Sequence, residues 1–304
     1  KKLESLLRDL NDLLGRSEKE AIDHYSKVEH KFPVVFIMGP LRSGTTLFMQ
    51  WLAQGKIVAY PSNLLSRFYG APIIGAKIQL LLTDSRFNFR NEIMEFDNII
   101  QFMSENGKTK GALSPNEFWY FWRRFLPFKE IDWMPDSELL NVVDHKTMVE
   151  ELTGLTKVFG KPFALKAMIL NYNIKFLNEI FNNALFIQIQ RDPITNIASI
   201  IDARKKQYGD VNEWYSFKIP EYKILKNLDV IHQCAGQLYY TNKAIQEGMK
   251  MIDPQKKVVV NYEEFCSDPG KIFIELQTKL NLKKSLKIYN GPKFFETTRK
   301  RINI

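Results

Sequence analysis

The sequence predicts an α/β protein with a parallel β-sheet core flanked by helices and a mainly helical insertion. Three observations predict it. Residues 34–38, Val-Val-Phe-Ile-Met, form a short apolar run that enters a glycine-bearing turn and then a helical pattern. Strand-like runs at 163–167, 185–190 and 257–261 alternate with helical patterns, the arrangement of a parallel sheet covered on both faces. Residues 62–160 read as largely helical, with loop punctuation at Asn106-Gly107, Leu126-Pro127 and Met134-Pro135.

Taken in order, Leu3, Leu6, Leu7, Leu10, Leu13 and Leu14 recur at spacings of three and four, which predicts an amphipathic helix to about Leu14. This N-terminal helical segment, within residues 1–30, is expected to pack on the body or on a second copy in a homodimer. The strand at 34–38 leads through a loop into a helix over 45–54, and a short strand follows at 57–60. Residues 62–160 then form the expected helical insertion. No internal repeat or low-complexity tract interrupts the chain, so one domain over 1–304 is expected.

Gly39 and Gly44 bracket the turn after the first strand, and their spacing matches the P-loop pattern G-x-x-x-x-G-K-[ST]. A strand, a glycine turn and a helix N-terminus aim several N–H groups at one point, which suits phosphate oxygens. Thr45 stands where the lysine that reaches the terminal phosphates of ATP would stand, so ordinary ATP or GTP hydrolysis is disfavoured. Arg42 returns a positive charge to the loop, and Thr45 and Thr46 add hydroxyl donors. The candidate anion site is therefore Arg42, Ser43, Gly44, Thr45 and Thr46, with no metal required.

A second segment has matching chemistry. The strand pattern at 185–190 ends at Arg191-Asp192-Pro193 and continues as a helix through Ser199. An arginine at a strand end offers a planar fork to a phosphate, and a serine about two turns into the helix faces back toward it.

Together these two motifs resemble those of sulfotransferases, which take a sulfuryl group from 3′-phosphoadenosine-5′-phosphosulfate (PAPS). The resemblance implies that the loop binds the 5′-phosphosulfate and that Arg191 and Ser199 hold the 3′-phosphate. It also implies three further roles. Lys166, at the end of the 163–167 strand, would neutralise charge on the transferring group or bridging oxygen. Tyr262, after the 257–261 strand, would contact the adenine. Arg299 and Lys300 resemble the family's basic clamp on the 3′-phosphate, with Arg301 where glycine is expected. The implied reaction moves sulfuryl from PAPS to a hydroxyl and releases adenosine 3′,5′-bisphosphate.

The usual bases of the family are absent. Met168 occupies the place of the histidine found two residues after the strand lysine, and Tyr60-Pro61-Ser62-Asn63 stands where tyrosylprotein members carry a glutamate. An acceptor hydroxyl must lose its proton as it attacks sulfur, so another base is expected. Glu117 is the first candidate, since a carboxylate among Phe118, Trp119, Tyr120, Phe121 and Trp122 would have its pKa raised by partial burial. Ser114-Pro115-Asn116-Glu117 reads equally as a helix-starting capping box. His145, beside Asp144, is the alternative base.

The aromatic faces at Trp119, Tyr120 and Trp122 suit sugar rings, which makes a carbohydrate or glycolipid hydroxyl the first expectation for the acceptor. A phenolic small molecule, a peptide tyrosine or a nucleotide-binding phosphotransferase activity remain the alternatives. The formal charge of +9 suits an anionic ligand, while the dispersal of the basic residues and the lack of a recognised motif argue against nucleic acid. No apolar run approaches the roughly 18–20 residues of a membrane helix. Cys234 and Cys266 are too few for a disulfide framework or a metal site. A cytoplasmic location is expected, or the Golgi lumen if an anchor precedes Lys1.

Overall fold

The computed structural model describes residues 2–29, 31–89, 101–104, 107–280, 282 and 286–297. The strands are β1 (Val34–Met38), β2 (Phe163–Lys166), β3 (Ala184–Gln190) and β4 (Lys257–Asn261). Helices before β2 are α1 (Lys2–Ser26), α2 (Thr45–Gly55), α3 (Pro72–Thr83), α4 (Trp119–Phe125), α5 (Asp136–Val142) and α6 (His145–Phe159). After it come α7 (Ile174–Ile180), α8 (Pro193–Tyr208), α9 (Tyr222–Leu225), α10 (Val230–Lys250), α11 (Tyr262–Ser267) and α12 (Pro269–Lys279).

The strands form one parallel sheet in the order β2-β1-β3-β4, flanked by helices. Strand β3 pairs in parallel with β4 in a register that sets Gln188 opposite Val259 and Gln190 opposite Asn261. Every residue of β1 is buried, as are all of β3 except Gln190, which explains their nearly uninterrupted apolar composition. Neighbouring β1 and β3 in a parallel sheet deliver their C-terminal turns to one edge, where open α/β sheets bind ligands. The residues expected to form a strand at 57–60 make only an isolated bridge, Ala59 to Phe163, because Pro61 removes the next donor that a ladder would need.

The chain divides into two compact units, and the division cuts β1 and β2. The first comprises Lys1–Val35, Thr46–Leu126 and Val143–Leu165. Here α1 runs to Ser26, well past the last leucine of its repeat. Polar residues on its inward face explain the extension. Asn11 Nδ2 donates to Leu7 O and Arg67 O, while its Oδ1 accepts from Gly70 N. One helical turn pair further on, Glu18 accepts from Ile73 N at 2.8 Å and Ile74 N at 3.0 Å, satisfying N–H groups that the start of α3 leaves unpaired. Ala21 and Ile22 then pack on Ile73. Leu3, Leu6 and Leu13 of the same helix are exposed.

Glu18 shares this buried region with Glu151 and Arg124. Arg124 is hydrogen-bonded to Glu151 and lies over the Phe125 ring at 4.3 Å. Burial pushes the Glu151 carboxyl up to about 8 against the opposing charge of Arg124. Burial also raises Glu18, partly offset by the two α3 N–H bonds.

The second unit comprises Phe36–Thr45, Pro127–Val142 and Lys166–Ile304. Phe36 packs edge-on against Phe181 at 5.0 Å and beside Phe186 at 5.5 Å. Leu41, from the turn after β1, packs with Ile200 and Ala203 of α8 and with Cys234 and Leu238 of α10. Leu41 thus anchors the loop on the helix that carries Ser199. Cys234 and Cys266 are free and buried.

Candidate active site

The turn after β1 is held in an uncommon backbone shape. Arg42 takes φ +61° and Gly44 φ +96°, both in the left-handed region, where a side chain is disfavoured. Gly44 needs to be glycine for a second reason: a Cβ there would lie 2.1 Å from Cε2 of Tyr262. At the other end, a Cβ on Gly39 would lie 2.7 Å from Ser43 Oγ and 3.2 Å from Ile189 O. Close approach therefore fixes both glycines noticed from their spacing, and left-handed backbone fixes Gly44 as well.

The loop and the end of β3 are joined directly. Arg191 Nη1 donates to Arg42 O at 2.7 Å, and Arg42 Nε donates to Ser199 Oγ at 3.2 Å. The Arg191 guanidinium lies over the Tyr262 ring at 4.7 Å. Arg42, Ser43, Gly44, Thr45, Arg191, Ser199 and Tyr262 thus form one connected cluster within the second unit. Asp192 begins α8 by accepting from Thr195 N and Oγ1, which orients Ser199 two turns further along. Burial holds the Tyr262 phenol above its ordinary range, so the hydroxyl stays protonated.

Two donors in this cluster are buried without an acceptor: Ser43 Oγ and Arg191 Nε. Such groups are costly unless paired, and an anionic ligand rich in oxygen acceptors fits them. Their charge and number suit a phosphate or sulfate ester. Among the described residues, no group of three or more His, Cys, Asp and Glu residues could hold a metal ion.

Lys166 ends β2 and is 5% exposed. The chain after it is tied to β1 by a bond from Ala167 N to Ile37 O at 3.0 Å. A turn at Met168–Leu170 follows. There the Met168 sulfur accepts from Thr45 Oγ1 at 3.4 Å, and Asn171 bonds both main-chain groups of Gly39. Sequence reasoning missed Asn171, because its pairing follows from a turn between strands and from no periodicity. Met168 was noticed only for what it replaces, and its contact with Thr45 carried no signal in the sequence.

In the first unit, Glu117 and Thr46 both reach the space beside Gly107. A Cβ on Gly107 would sit 3.0 Å from Glu117 Oε1 and 3.7 Å from Thr46 Oγ1. The segment carrying Glu117 is fixed by Asn63, whose Nδ2 donates to Thr109 O and Gly111 O and whose Oδ1 accepts from Asn116 Nδ2. Asn116 N donates to Pro61 O, and Tyr60 OH donates to Leu113 O.

This network departs from the expected capping box. Ser114 Oγ bonds to Lys110 O, Phe118 takes φ +55°, and α4 starts at Trp119. Glu117 is consequently exposed, so the partial burial expected of it is missing. Trp122 is 1% exposed and belongs to the core, whereas Tyr120 is exposed and Trp119 half-buried. The α4 helix turns Phe121, Trp122 and Phe125 inward, which leaves Trp119 and Tyr120 as the more accessible rings. His145 opens α6, and Asp144 before it accepts from Thr147 N as that helix's cap. Arg299 and Lys300 lie outside the described residues.

The described helices include none long and apolar enough to cross a membrane. In structure, the chain is similar to sulfotransferase STF9 from Mycobacterium avium, with a TM-score of 0.55 and 18% identity over 89% of this chain and 68% of that one. It is also similar to sulfotransferase STF1 from Mycobacterium tuberculosis H37Rv, with a TM-score of 0.53 and 13% identity over 88% and 72% of the respective chains. These likenesses concern the fold. No curated protein matches the sequence. The model of the sulfotransferase family matches residues 33–285, a stretch that holds the loop, Lys166, Arg191, Ser199 and Tyr262, and the chain belongs to that family.

Proposed function

We propose that this sulfotransferase uses PAPS as its donor and a hydroxyl, most suitably on a carbohydrate or glycolipid, as its acceptor. The observation that carries the donor reading is the cluster of Arg42, Arg191 and Ser199, with Ser43 Oγ and Arg191 Nε buried and lacking acceptors. Two arginines and two hydroxyls in one place match a ligand with separate phosphate and phosphosulfate groups better than a single carboxylate.

In this reading Ser43, Gly44, Thr45 and Thr46 bind the 5′-phosphosulfate, Arg191 and Ser199 bind the 3′-phosphate, and Tyr262 lines the adenine side. Arg42 and Lys166 neutralise charge as the bridging oxygen departs. Glu117 is the base, with His145 the alternative. The acceptor oxygen forms a bond to sulfur, its proton passes to the base, and the sulfur–bridging-oxygen bond breaks with its electron pair on adenosine 3′,5′-bisphosphate. Positioning and charge stabilisation supply most of the acceleration. Met168 contacts Thr45 where other members carry histidine, which supports a base drawn from the helical insertion.

Residues 62–160 form the acceptor-binding insertion of a single catalytic domain. Trp119 and Tyr120 are its sugar-facing rings. The leucines left exposed on α1 are compatible with a homodimer. We place the enzyme in the cytoplasm, or in the Golgi lumen if a membrane anchor precedes the chain.

The test is incubation with PAPS carrying a radiolabelled sulfuryl group and a panel of saccharide, glycolipid, phenolic and tyrosyl-peptide acceptors. Label on a saccharide or glycolipid supports the whole reading. Label only on phenols or tyrosine corrects the acceptor, and no transfer to any of them, with the donor intact, counts against it.

A further inference from the structure

We propose that Asn171 is a positioning residue for the donor loop, holding Gly39 in the shape that phosphate binding requires. Its Oδ1 accepts from Gly39 N at 3.2 Å and its Nδ2 donates to Gly39 O at 2.8 Å. One carboxamide thereby satisfies both main-chain groups of the residue that begins the loop. Asn171 is 4% exposed, so water cannot readily take its place.

The clamp is itself fixed. Asn171 N donates to Met168 O, Leu170 N to Ala167 O, and Ala167 N to Ile37 O. At the far end of the loop the same turn offers Met168 Sδ to Thr45 Oγ1 at 3.4 Å. The turn at 168–171 therefore grips the loop at its first glycine and at the first residue of α2. Between those points Arg42 and Gly44 hold left-handed backbone, a shape that persists only where surrounding contacts impose it. Few other side chains can do this work. Leucine offers neither bond, and an ionised aspartate could accept from Gly39 N but not donate to Gly39 O. Loss of the clamp leaves a buried N–H and a buried carbonyl without partners and lets the loop relax from its phosphate-binding form.

The ligand chosen for the test rests on the PAPS reading, but the clamp itself does not. The experiment compares wild type, Asn171→Ala and Asn171→Ser, each labelled with [15N]glycine. Three quantities are read: the hydrogen-exchange rate of the Gly39 amide, the thermal midpoint, and the Kd for adenosine 3′,5′-bisphosphate. The expected result is exchange at Gly39 at least about tenfold faster and a Kd raised about tenfold or more in both variants, while Gly236 and Gly248 in α10 keep their exchange rates. In turnover, the apparent KM for the donor rises and that for the acceptor stays constant, a split that general loosening does not produce.

Unchanged exchange at Gly39 in a folded variant overturns the proposal, as does faster exchange with an unchanged Kd. If Asn171→Ala does not fold, Asn171→Ser decides the matter, since its one hydroxyl cannot span both groups. If the wild type does not bind the bisphosphate, the donor reading fails, and Gly39 exchange still decides whether the clamp exists.

Discussion

The loop after β1 and the α1–α3 region are both stitched by side chains bonded to main-chain groups, yet they secure themselves in different ways. Around the loop, the stitching constrains strained backbone: Arg42 and Gly44 are left-handed, Gly39 and Gly44 leave no room for a Cβ, and Arg191 bonds the Arg42 carbonyl. In the α1–α3 region the backbone is regular helix, and the unusual feature is the pair of buried carboxyl groups on Glu18 and Glu151. In the proposed reading, the first arrangement prepares a surface for the donor. The second fixes one helix against others and ties its stability to pH.

The comparison can be broken most sharply at the proposed base. Glu117→Gln keeps the shape of the segment beside Gly107, so kcat is expected to fall by about 100-fold or more while the bisphosphate Kd stays constant. A retained kcat would remove Glu117 from the chemistry and turn attention to His145. Next in size, Arg191→Ala removes a charge-assisted contact and is expected to weaken the bisphosphate about 10–100-fold. The accompanying drop in thermal midpoint should be small, and an equal loss of stability and affinity would make Arg191 a structural residue.

Gly44→Ala sharpens the contrast on the loop side. The new Cβ meets Tyr262 and the left-handed backbone disfavours any side chain, so about tenfold weaker donor binding is expected. The effect should shrink in a Tyr262→Ala background, where the clash is relieved and only the backbone strain remains. Additive losses in the double variant would show that the ring and the glycine act independently.

The smallest effect concerns the helical unit and appears as a pH dependence. The folded-state pKa of Glu151 is raised to about 8, above its ordinary value of 4.5. The stability linked to its bound proton is fully present below 4.5 and is lost as pH rises through about 8. The slope in that window is at most about 1.4 kcal/mol per pH unit for one proton. Urea unfolding between these limits should show the decline, and Glu151→Gln should flatten it. A stability that stays flat across the window would mean that Arg124 keeps Glu151 ionised.

The same contrast explains what could be read in advance. The sheet was legible because β1 and β3 are almost wholly buried and so write themselves as apolar runs. The loop was legible because left-handed backbone and close approach demand glycine at fixed spacing. Arg191 and Ser199 followed from a strand end and two helical turns. The full length of α1 was not legible, since Asn11 and Glu18 are polar residues on an inward face and break the leucine pattern that hydropathy follows. Glu117's exposure was hidden by a sequence that reads as a capping box but folds around Asn63 instead. Asn171 was invisible for the simplest reason: its partner, Gly39, is 132 residues away.

The most direct test of the account is calorimetric titration of the wild-type chain with adenosine 3′,5′-bisphosphate and, separately, with ATP-magnesium, using Arg191→Ala as control. The account predicts tight binding of the bisphosphate, little of ATP-magnesium, and loss of the bisphosphate signal in the variant. Preference for ATP-magnesium, or bisphosphate binding indifferent to Arg191, would contradict it.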